Sequence, residues 1–575
     1  MDNGKKPTRR DFLKLAGAAS GSSILAACAP AQPAAPAAAA PPTATFPPPP
    51  TAAPAATAAP AATAIAAVPK VMNFPWWFWE NLGTNPPDHR IPRLVSGRLV
   101  DLDLDGSITP FGAEKWELSE DKLTYTFTLR KGMTWHDGEG FDAEDVAFTI
   151  NYLVNEKNLA RTGTKTGWGS LKGAEDYKTG KAAQIEGLEV VDNYTVRMTI
   201  DSPDGGWMSN VAAASNILPE HIYKEIPLES LLEPAAPIWF EPRIHIGFGP
   251  FKFVEGEFEK FARLERFDDF WEGKPLLDGA LFTNFGESDT RFFALIKGET
   301  DYLDLSGNYY DQAQKLDNIN INVFDRPYHR WLDINLDQPY FKDVRVRQAL
   351  NHAVDRQVLC DTVLRGLATP HYSVMEHERW VNADMPKYEY DPEKAKALLA
   401  DAGWDPNQEV GLYYYYPDQP SKDFMAGLQK YFVDAGIKTK LIYIESAVSN
   451  ELDLNGKYDL MYAGWGAGPD PTAYTTGFDC ELPTSFFRKY KPEVCQQVAD
   501  LFDQGKQLAD FDERKAVYDQ IQQIYGEEVL AVPLFRFKTA LALNKRVTGF
   551  DLGASAWINS WVFTKHNAHR WDIIQ

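Results

Sequence analysis

Long hydrophobic runs, an excess of basic residues and common catalytic motifs are all missing from this sequence. No apolar run approaches the roughly 20 residues of a transmembrane helix, so nothing beyond the first residues is expected to span a bilayer. Acidic residues outnumber basic ones by 80 to 58, and the formal charge of −22 argues against binding to nucleic acid, whose phosphates require a basic surface. The motifs G-x-S-x-G, H-E-x-x-H and C-x-x-C do not occur, so no hydrolase or thiol redox signature is present.

The remaining composition is that of a globular protein rich in aromatic residues. Apolar residues make up 44% and aromatic residues 13% of the 575 positions. A chain of this length exceeds what one hydrophobic core can organise, so two or three domains are expected.

Residues 1–27 are predicted to be an export signal that ends at a lipidation site. Thr8–Lys14 contains a twin-arginine pattern, and the apolar stretch that follows ends in Leu25–Cys28, which looks like a bacterial lipobox. Cys28 is therefore expected to carry the lipid, although an ordinary cleaved signal with a chance cysteine is the alternative. Residues 28–69 then comprise this cysteine and an Ala/Pro/Thr linker without charge, typical of an extended tether. The layout predicts a protein anchored by lipid alone at the outer face of the cytoplasmic membrane, in an extracytoplasmic or periplasmic space.

The other cysteines are expected to differ in state. Cys480 and Cys495 are close in sequence, in a loop-rich stretch of a protein expected in an oxidising compartment, and we predict that they form a disulfide. Cys360 is left over and is predicted to be a buried thiol.

Several local patterns predict an α/β organisation. Leu123–Leu129 alternates as a half-buried strand. Asp142 is placed to cap a helix with Asp145 at its third position, and Asp391–Gly403 combines an N-cap, a proline at the first helical position and a glycine stop. Tyr458–Pro471 is predicted to be a strand that runs into a Gly/Pro loop.

The stretch Trp331–Pro370 is predicted to be a short extended segment, a turn and a long helix that begins at Asp343. Its apolar positions fall at helical spacing on one stripe, namely Val346, Ala349, Leu350, Ala353 and Val354. The charged positions mostly lie off that stripe: Arg345, Arg347, Asp355 and Arg356. These features alone predict a core helix of a mixed α/β domain.

Residues in and around this helix resemble the signature of the family 5 extracellular solute-binding proteins, the large peptide- and nickel-type receptors of ABC importers. The matching positions are Asn335, the run Phe341–Leu350, Ala353, Asp355, Arg356 and Gly366. Further blocks resemble the family in order, including 114–146, 247–253, 269–275 and 298–301. The resemblance covers roughly residues 95–550.

This resemblance implies an α/β, two-lobed, periplasmic-binding-protein-like (type II) fold with an extra accessory domain and a hinge between the lobes. The boundaries expected from it are 70–105, 215–325 and 531–575 for lobe I, 106–214 for the accessory domain and 326–530 for lobe II. It also implies a monomeric receptor that closes over a solute and delivers it unaltered to an ABC permease and ATPase complex. No cofactor, metal or catalytic activity is expected.

The candidate ligand-binding residues lie in the aromatic-rich segments and in the Gly/Pro loop, where backbone can approach a ligand closely. They are Trp77, Trp79, Asn81, Tyr414, Tyr416, Trp465, Gly466, Gly468 and Asp470. Peptide-binding relatives place an aspartate about three residues after the tryptophan, to pair with the peptide ammonium, whereas this chain has Gly468 there and Asp470 two residues later. Either Asp470 or another acid supplies that charge, or the ligand carries no ammonium.

The ligand class stays open between a peptide, which the family favours, and an oligosaccharide, which the aromatic excess would suit. Trp380 and the tyrosines 413–416 are further candidates for stacking on a sugar. An exported lipoprotein hydrolase is a remote alternative, and a nickel- or haem-specific receptor is another, without a dense His or Cys cluster to support it.

Overall fold

Strands and helices alternate along most of the chain. The computed structural model describes residues 69–76, 90–103, 106–155, 167–226, 241–257, 260–305, 307–466, 470–478, 490–550 and 567–574. No helix within these ranges has both the length and the apolar character needed to cross a membrane.

The described ranges contain nineteen strands. They are β1 (Val71–Trp76), β2 (Val100–Leu102), β3 (Ile108–Pro110), β4 (Ala113–Leu118), β5 (Thr124–Leu129), β6 (Leu188–Asp192), β7 (Thr195–Thr199), β8 (Phe251–Glu257), β9 (Phe261–Arg266), β10 (Gly279–Asn284), β11 (Tyr302–Leu305), β12 (Ile319–Ile334), β13 (Ala368–Pro370), β14 (Glu409–Tyr414), β15 (Lys438–Tyr443), β16 (Leu460–Trp465), β17 (Ala531–Asn544), β18 (Val547–Thr548) and β19 (Asp572–Ile573).

The α-helices of the described ranges are Arg90–Val95, Ala143–Val154, Ala174–Lys178, Glu220–Tyr223, Ser288–Lys297, Gly307–Ala313, Val344–His352, Arg356–Thr362, Pro392–Asp401, Gln419–Asp434, Ser446–Leu454, Thr475–Phe478, Pro492–Gln507 and Phe511–Glu528. Short 3-10 segments and a π-helical segment at Met208–Ala212 connect them.

Three of the locally predicted elements are confirmed in detail. Strand β5 alternates between half-buried and buried residues, as its pattern predicts. The helix Ala143–Val154 begins with a capping box in which Asp142 accepts from the backbone and Asp145 reaches back to the N-cap backbone. The helix Pro392–Asp401 is likewise capped by Asp391 and followed by Gly403 at a φ of 71°.

The prediction of one long helix from Asp343 is wrong, because the chain forms two shorter ones. Asp343 caps Val344–His352, and Asp355 caps a second helix, Arg356–Thr362, by accepting from the Val358 amide at 3.0 Å. The second aspartate offers the backbone a new N-terminus, so the helix ends and restarts there. Cys360, on this second helix, is a buried free thiol, as predicted.

Two arginines expected off the apolar stripe are in fact buried. Arg347 has no exposed surface and donates to the carbonyl groups of Phe341, Lys342, Glu528 and Val529. Arg356, 2% exposed, donates to the carbonyls of Asn351, Val354, Tyr388 and Pro533. Both side chains therefore tie these two helices to distant backbone rather than facing solvent.

The largest sheet contains seven strands in the order β11-β17-β12-β16-β14-β15, with β13 paired to β17. A second sheet has the order β1-β10-β9-β8, and a third the order β4-β5-β7-β6. The two long strands of the first sheet, β12 and β17, run antiparallel along most of their length. One end of this pair meets β11 and the other meets β16, so these two strands connect the two ends of the sheet.

Separate hydrophobic cores form around these sheets. One core gathers residues between Leu99 and Ile217, with Phe248, Phe267 and Phe270. Another combines Met72, Phe74 and residues of 91–95 with described residues of 251–282 and 541–573, and the largest gathers described residues from Trp331 to Phe535. The domain boundaries expected from the sequence stay a prediction.

Candidate functional site

The candidate site lies at one edge of the largest sheet, where β14 and β16 end. These strands are parallel and pair Leu412 with Leu460 and Tyr414 with Tyr462. Their carboxyl ends therefore open at the same edge, which is where α/β sheets commonly bind ligands. Strand β12 runs antiparallel beside β16 and brings Arg330 opposite Gly464.

Arg330 lies at the centre of this edge among aromatic rings. Its guanidinium carbon is 3.5 Å from the centroid of Tyr416 and 5.0–5.4 Å from the centroids of Tyr328, Tyr462 and Phe537. Nη1 donates to the Tyr328 hydroxyl at 3.2 Å. The residue is 7% exposed, so the rings replace most of its hydration with cation–π contacts.

A glycine near the end of β16 makes room for this guanidinium. A Cβ atom on Gly464 would lie 2.0 Å from Nη1 of Arg330. The absence of a side chain at Gly464 therefore gives the Arg330 guanidinium its space. Gly466, two residues later, follows the end of β16 and is half-buried.

The two candidate tyrosines have different surroundings. Tyr416 lies beneath Arg330, and its hydroxyl donates to that of Tyr415 at 3.1 Å. Burial raises the pKa of Tyr416 although Arg330 opposes the shift, so the phenol is neutral at physiological pH. Tyr414 is half-buried, with its ring edge-on to Tyr443 at 5.5 Å between centroids.

Asp470 is buried in an ion pair, a geometry that favours a structural role over contact with a ligand. Arg514 donates to both of its carboxylate oxygens at 2.8 Å. The Thr472 amide and hydroxyl also donate to it, at 3.0 and 2.8 Å. Burial disfavours the charge, but the hydrogen bonds from Arg514 outweigh it and lower the pKa of Asp470. Its assignment as the counter-charge of a ligand ammonium stays a prediction.

The same ion pair contacts a segment from a distant part of the chain. Asn210 donates to the Thr472 hydroxyl at 2.7 Å, and Arg514 donates to the Gly205 carbonyl at 3.1 Å. A Cβ on Gly206 would lie 2.1 Å from the Thr472 hydroxyl oxygen. Side chains are thus excluded here, and backbone packs directly against the buried pair.

A buried histidine that the sequence analysis missed lies next to Arg330. His329 and Glu376 share a hydrogen bond of 3.0 Å between Nδ1 and Oε1, and the Glu376 amide donates to the Tyr474 hydroxyl at 3.1 Å. Burial, reinforced by the positive charges of Arg330 and Arg536, holds the pKa of His329 well below its usual range, so the ring is neutral. Among the described residues, no group of three His, Cys, Asp or Glu side chains is placed to hold a metal ion.

Several candidates lie outside the described residues. These are Cys28, Trp77, Trp79, Asn81, Gly468 and Cys480. For Trp465 the backbone alone is described, paired with His329 on β12. Cys495 is disulfide-bonded and its partner lies outside the described residues, so its pairing with Cys480 stays a prediction.

Arg330 is the central residue that sequence reasoning did not find. Its burial depends on β16 and β17, which lie more than a hundred residues further along the chain. The available signal was a charged residue in the extended segment before Trp331, followed much later by tyrosines and a glycine-rich strand end.

Comparisons with known proteins agree with this architecture. Residues 107–482 match the model of the bacterial extracellular solute-binding proteins, family 5. The chain is 28% identical over 475 residues to the dipeptide-binding protein of Escherichia coli, covering 79% of this chain and 85% of that protein. It is 27% identical over 491 residues to a probable di/tripeptide-binding protein of Pseudomonas aeruginosa, covering 80% and 88%.

Solved structures share the fold. The substrate-binding protein CtaP of Listeria monocytogenes superposes with a TM-score of 0.74 at 24% identity, covering 88% of this chain and 99% of that one. The oligopeptide-binding protein AppA of Bacillus subtilis, solved with a nonapeptide, gives 0.66 at 22% identity, covering 88% and 100%. The two-lobed type II fold expected from the sequence is therefore confirmed. Because the family match spans more than half of the residues, this chain belongs to the bacterial extracellular solute-binding proteins of family 5.

Proposed function

We propose that this chain is the substrate-binding receptor of an ABC importer and that its solute is a peptide. The observation that carries the proposal is the long match to relatives named for peptides. The dipeptide-binding, oligopeptide-binding and di/tripeptide-binding relatives each align with 76–80% of this chain. A receptor that releases its solute unchanged needs no catalytic group, and the proposal includes that it is not an enzyme.

Closure around the solute is proposed to bend the pair β12 and β17. The pairing register between these strands shifts between Asp325 and His329, and again between Arg330 and Trp331. Such irregularities interrupt the ladder and let strands bend. A solute that contacts both lobes better in the closed form would shift the population toward it, and the closed form would then engage the permease and ATPase.

Export and anchoring complete the proposal. Residues 1–27 are proposed to direct export through the twin-arginine route, and Cys28 to receive the lipid. The linker of residues 28–69 would then hold the monomeric body at the outer face of the cytoplasmic membrane. The disulfide of Cys495 suits that oxidising compartment.

The oligosaccharide alternative has less support from the described aromatic residues. Trp380 is buried against Phe511 and Tyr518, so its ring is part of the core. One face of Tyr416 is covered by Arg330. Both rings therefore already pack against other protein groups, which leaves less of their surface to stack on a sugar.

Mass spectrometry of molecules released by denaturing the purified protein tests the proposal. We expect peptides in the released fraction, and we expect small-angle scattering to show a smaller radius of gyration when those peptides are added back. Recovery of a glycan instead would favour the oligosaccharide alternative. Turnover of a glycan or an ester by the protein would contradict the receptor assignment.

A further inference from the structure

Arg330 differs from the other buried arginines of the largest core in how few of its donors are used. Arg347 and Arg356 each donate to several carbonyl groups, and Arg514 forms a bidentate pair with Asp470. With the described residues, the Arg330 side chain makes one hydrogen bond, the 3.2 Å contact to a tyrosine hydroxyl. Its Nε is buried without a hydrogen-bond partner.

The charge of Arg330 also lacks a carboxylate partner among the residues that the structure describes. Within the described part of the chain, no Asp or Glu forms an ion pair with it, although Arg514 and Arg536 both have such partners. Aromatic faces attract the cation, but they accept no conventional hydrogen bond from its five donors. A buried cation in this condition is costly unless something else pairs with it.

The position of Arg330 makes a bound solute the natural partner. Its guanidinium lies over Gly464, just before the strand end at Trp465 and Gly466. The half-buried ring of Tyr416 forms the floor beneath it. A group entering at this edge of the sheet would approach the guanidinium, and a planar carboxylate matches its fork.

We propose that Arg330 binds a carboxylate of the solute and thereby selects acidic or free-acid ligands. The proposal rests on the proposed peptide-receptor function and adds the chemical group that the site recognises. In a peptide, that carboxylate comes either from the C-terminus or from an Asp or Glu side chain. Charge-assisted bidentate contacts of this kind change affinity by about 10- to 100-fold.

The first test needs no variant. Purified protein is mixed with a library of di- to tetrapeptides in which every sequence is present as the free acid and as the C-terminal amide, and retained peptides are quantified by mass spectrometry. We expect free acids to be retained about tenfold or more over the matching amides. Amides retained only when they carry Asp or Glu would identify the side chain as the source, which also supports the proposal.

Equal retention of acids and of amides without acidic side chains would overturn the proposed role of Arg330 while leaving the peptide receptor standing. Retention of no peptide at all would overturn the receptor function and this inference with it. The two failures are therefore distinguishable.

A second test replaces the side chain. Arg330→Gln should remove the preference for acids over amides, and it should leave the thermal stability of the ligand-free protein unchanged or higher, because an uncompensated buried charge is removed. Arg347→Gln is the matched control: a buried arginine away from this edge, whose loss should lower stability and leave the acid preference intact. A stability loss in Arg330→Gln without a change in acid preference would show that the arginine is structural and refute the proposal.

Discussion

Replacing Asp470 by asparagine should lower the free energy of unfolding by about 3–5 kcal/mol, because it removes one charge of a buried ion pair and leaves Arg514 uncompensated. Both carboxylate oxygens are engaged, each at 2.8 Å from an Arg514 nitrogen. Both side chains are almost wholly buried. The asparagine amide keeps one acceptor and turns an NH₂ group toward the guanidinium, so most of the interaction is lost.

Urea unfolding followed by tryptophan fluorescence measures this effect. Trp380 reports locally, since the guanidinium of Arg514 lies 5.2 Å from its ring centroid. The control is Asp434→Asn, which breaks an exposed pair with Lys430 on one helix and should cost less than about 0.5 kcal/mol. A cost for Asp470→Asn as small as that of the control would refute the assignment of a buried, mutually dependent pair.

Two further measurements sharpen the same prediction. A double-mutant cycle with Arg514→Met should give a coupling of roughly 1–3 kcal/mol, because either partner alone is an unpaired buried charge. The folded-state pKa of Asp470 is lowered from 3.8, so this contribution should be complete at neutral pH and fade as the pH falls below about 4. Hydrogen exchange of residues 204–210 should also accelerate in Asp470→Asn, since Arg514 donates to the Gly205 carbonyl. Unchanged exchange there would argue that the contact holds without the pair.

The remaining predictions concern buried histidines, the glycine opposite Arg330 and a helix arginine. Burial lowers the pKa of His136 and of His371 to about 4. Between pH 6.5 and 4 the unfolded chain therefore binds protons that the folded one does not, and each histidine should reduce stability by about 2 kcal/mol from pH 7 to pH 5 in urea unfolding. His371→Asn should flatten that slope, and an unchanged slope would contradict the shift. Gly464→Ala should displace the Arg330 guanidinium and weaken solute binding measured by calorimetry, whereas wild-type affinity would contradict the close approach. Arg347→Met should lower the free energy of unfolding by about 3 kcal/mol or more, since four buried carbonyl groups lose a donor, and a loss below about 1 kcal/mol would contradict that role.

Local signals in the sequence predicted the elements whose causes are local. The capping box at Asp142 and the helix between Asp391 and Gly403 follow from interactions within a few residues. The break at Asp355 has an equally local cause, a second capping aspartate, but the continuous apolar stripe concealed it. A competing cap and an apolar stripe can lie on the same residues, and the stripe alone does not decide between one helix and two.

The sheet edge that holds the candidate site could be predicted from the sequence, whereas the groups that meet at this edge could not. A strand that ends in a Gly/Pro stretch correctly marked the edge of the sheet near Gly464 and Tyr416. Which groups meet there depends on pairing between β12, β16 and β17, which come from segments far apart in the chain. The prediction that Asp470 is one candidate counter-charge for a ligand ammonium rests on the spacing found in peptide-binding relatives, and that spacing contains no information about Arg514, 44 residues away.

The buried arginines inside the family signature stabilise the fold, whereas the arginine proposed to select the solute lies outside the signature. Arg347 and Arg356 lie in the family signature. Both donate hydrogen bonds to main-chain carbonyls, and these bonds hold two helices against β17 and the residues just before it. Such contacts fix the fold whatever solute is bound, so the signature reveals architecture and not ligand chemistry. Arg330 lies just before the signature and keeps donors unused at the sheet edge. If Arg330 selects solutes by binding their carboxylate, then replacing Arg330 should change the class of ligand that is bound. The signature helices and their hydrogen bonds to main-chain carbonyls should stay intact.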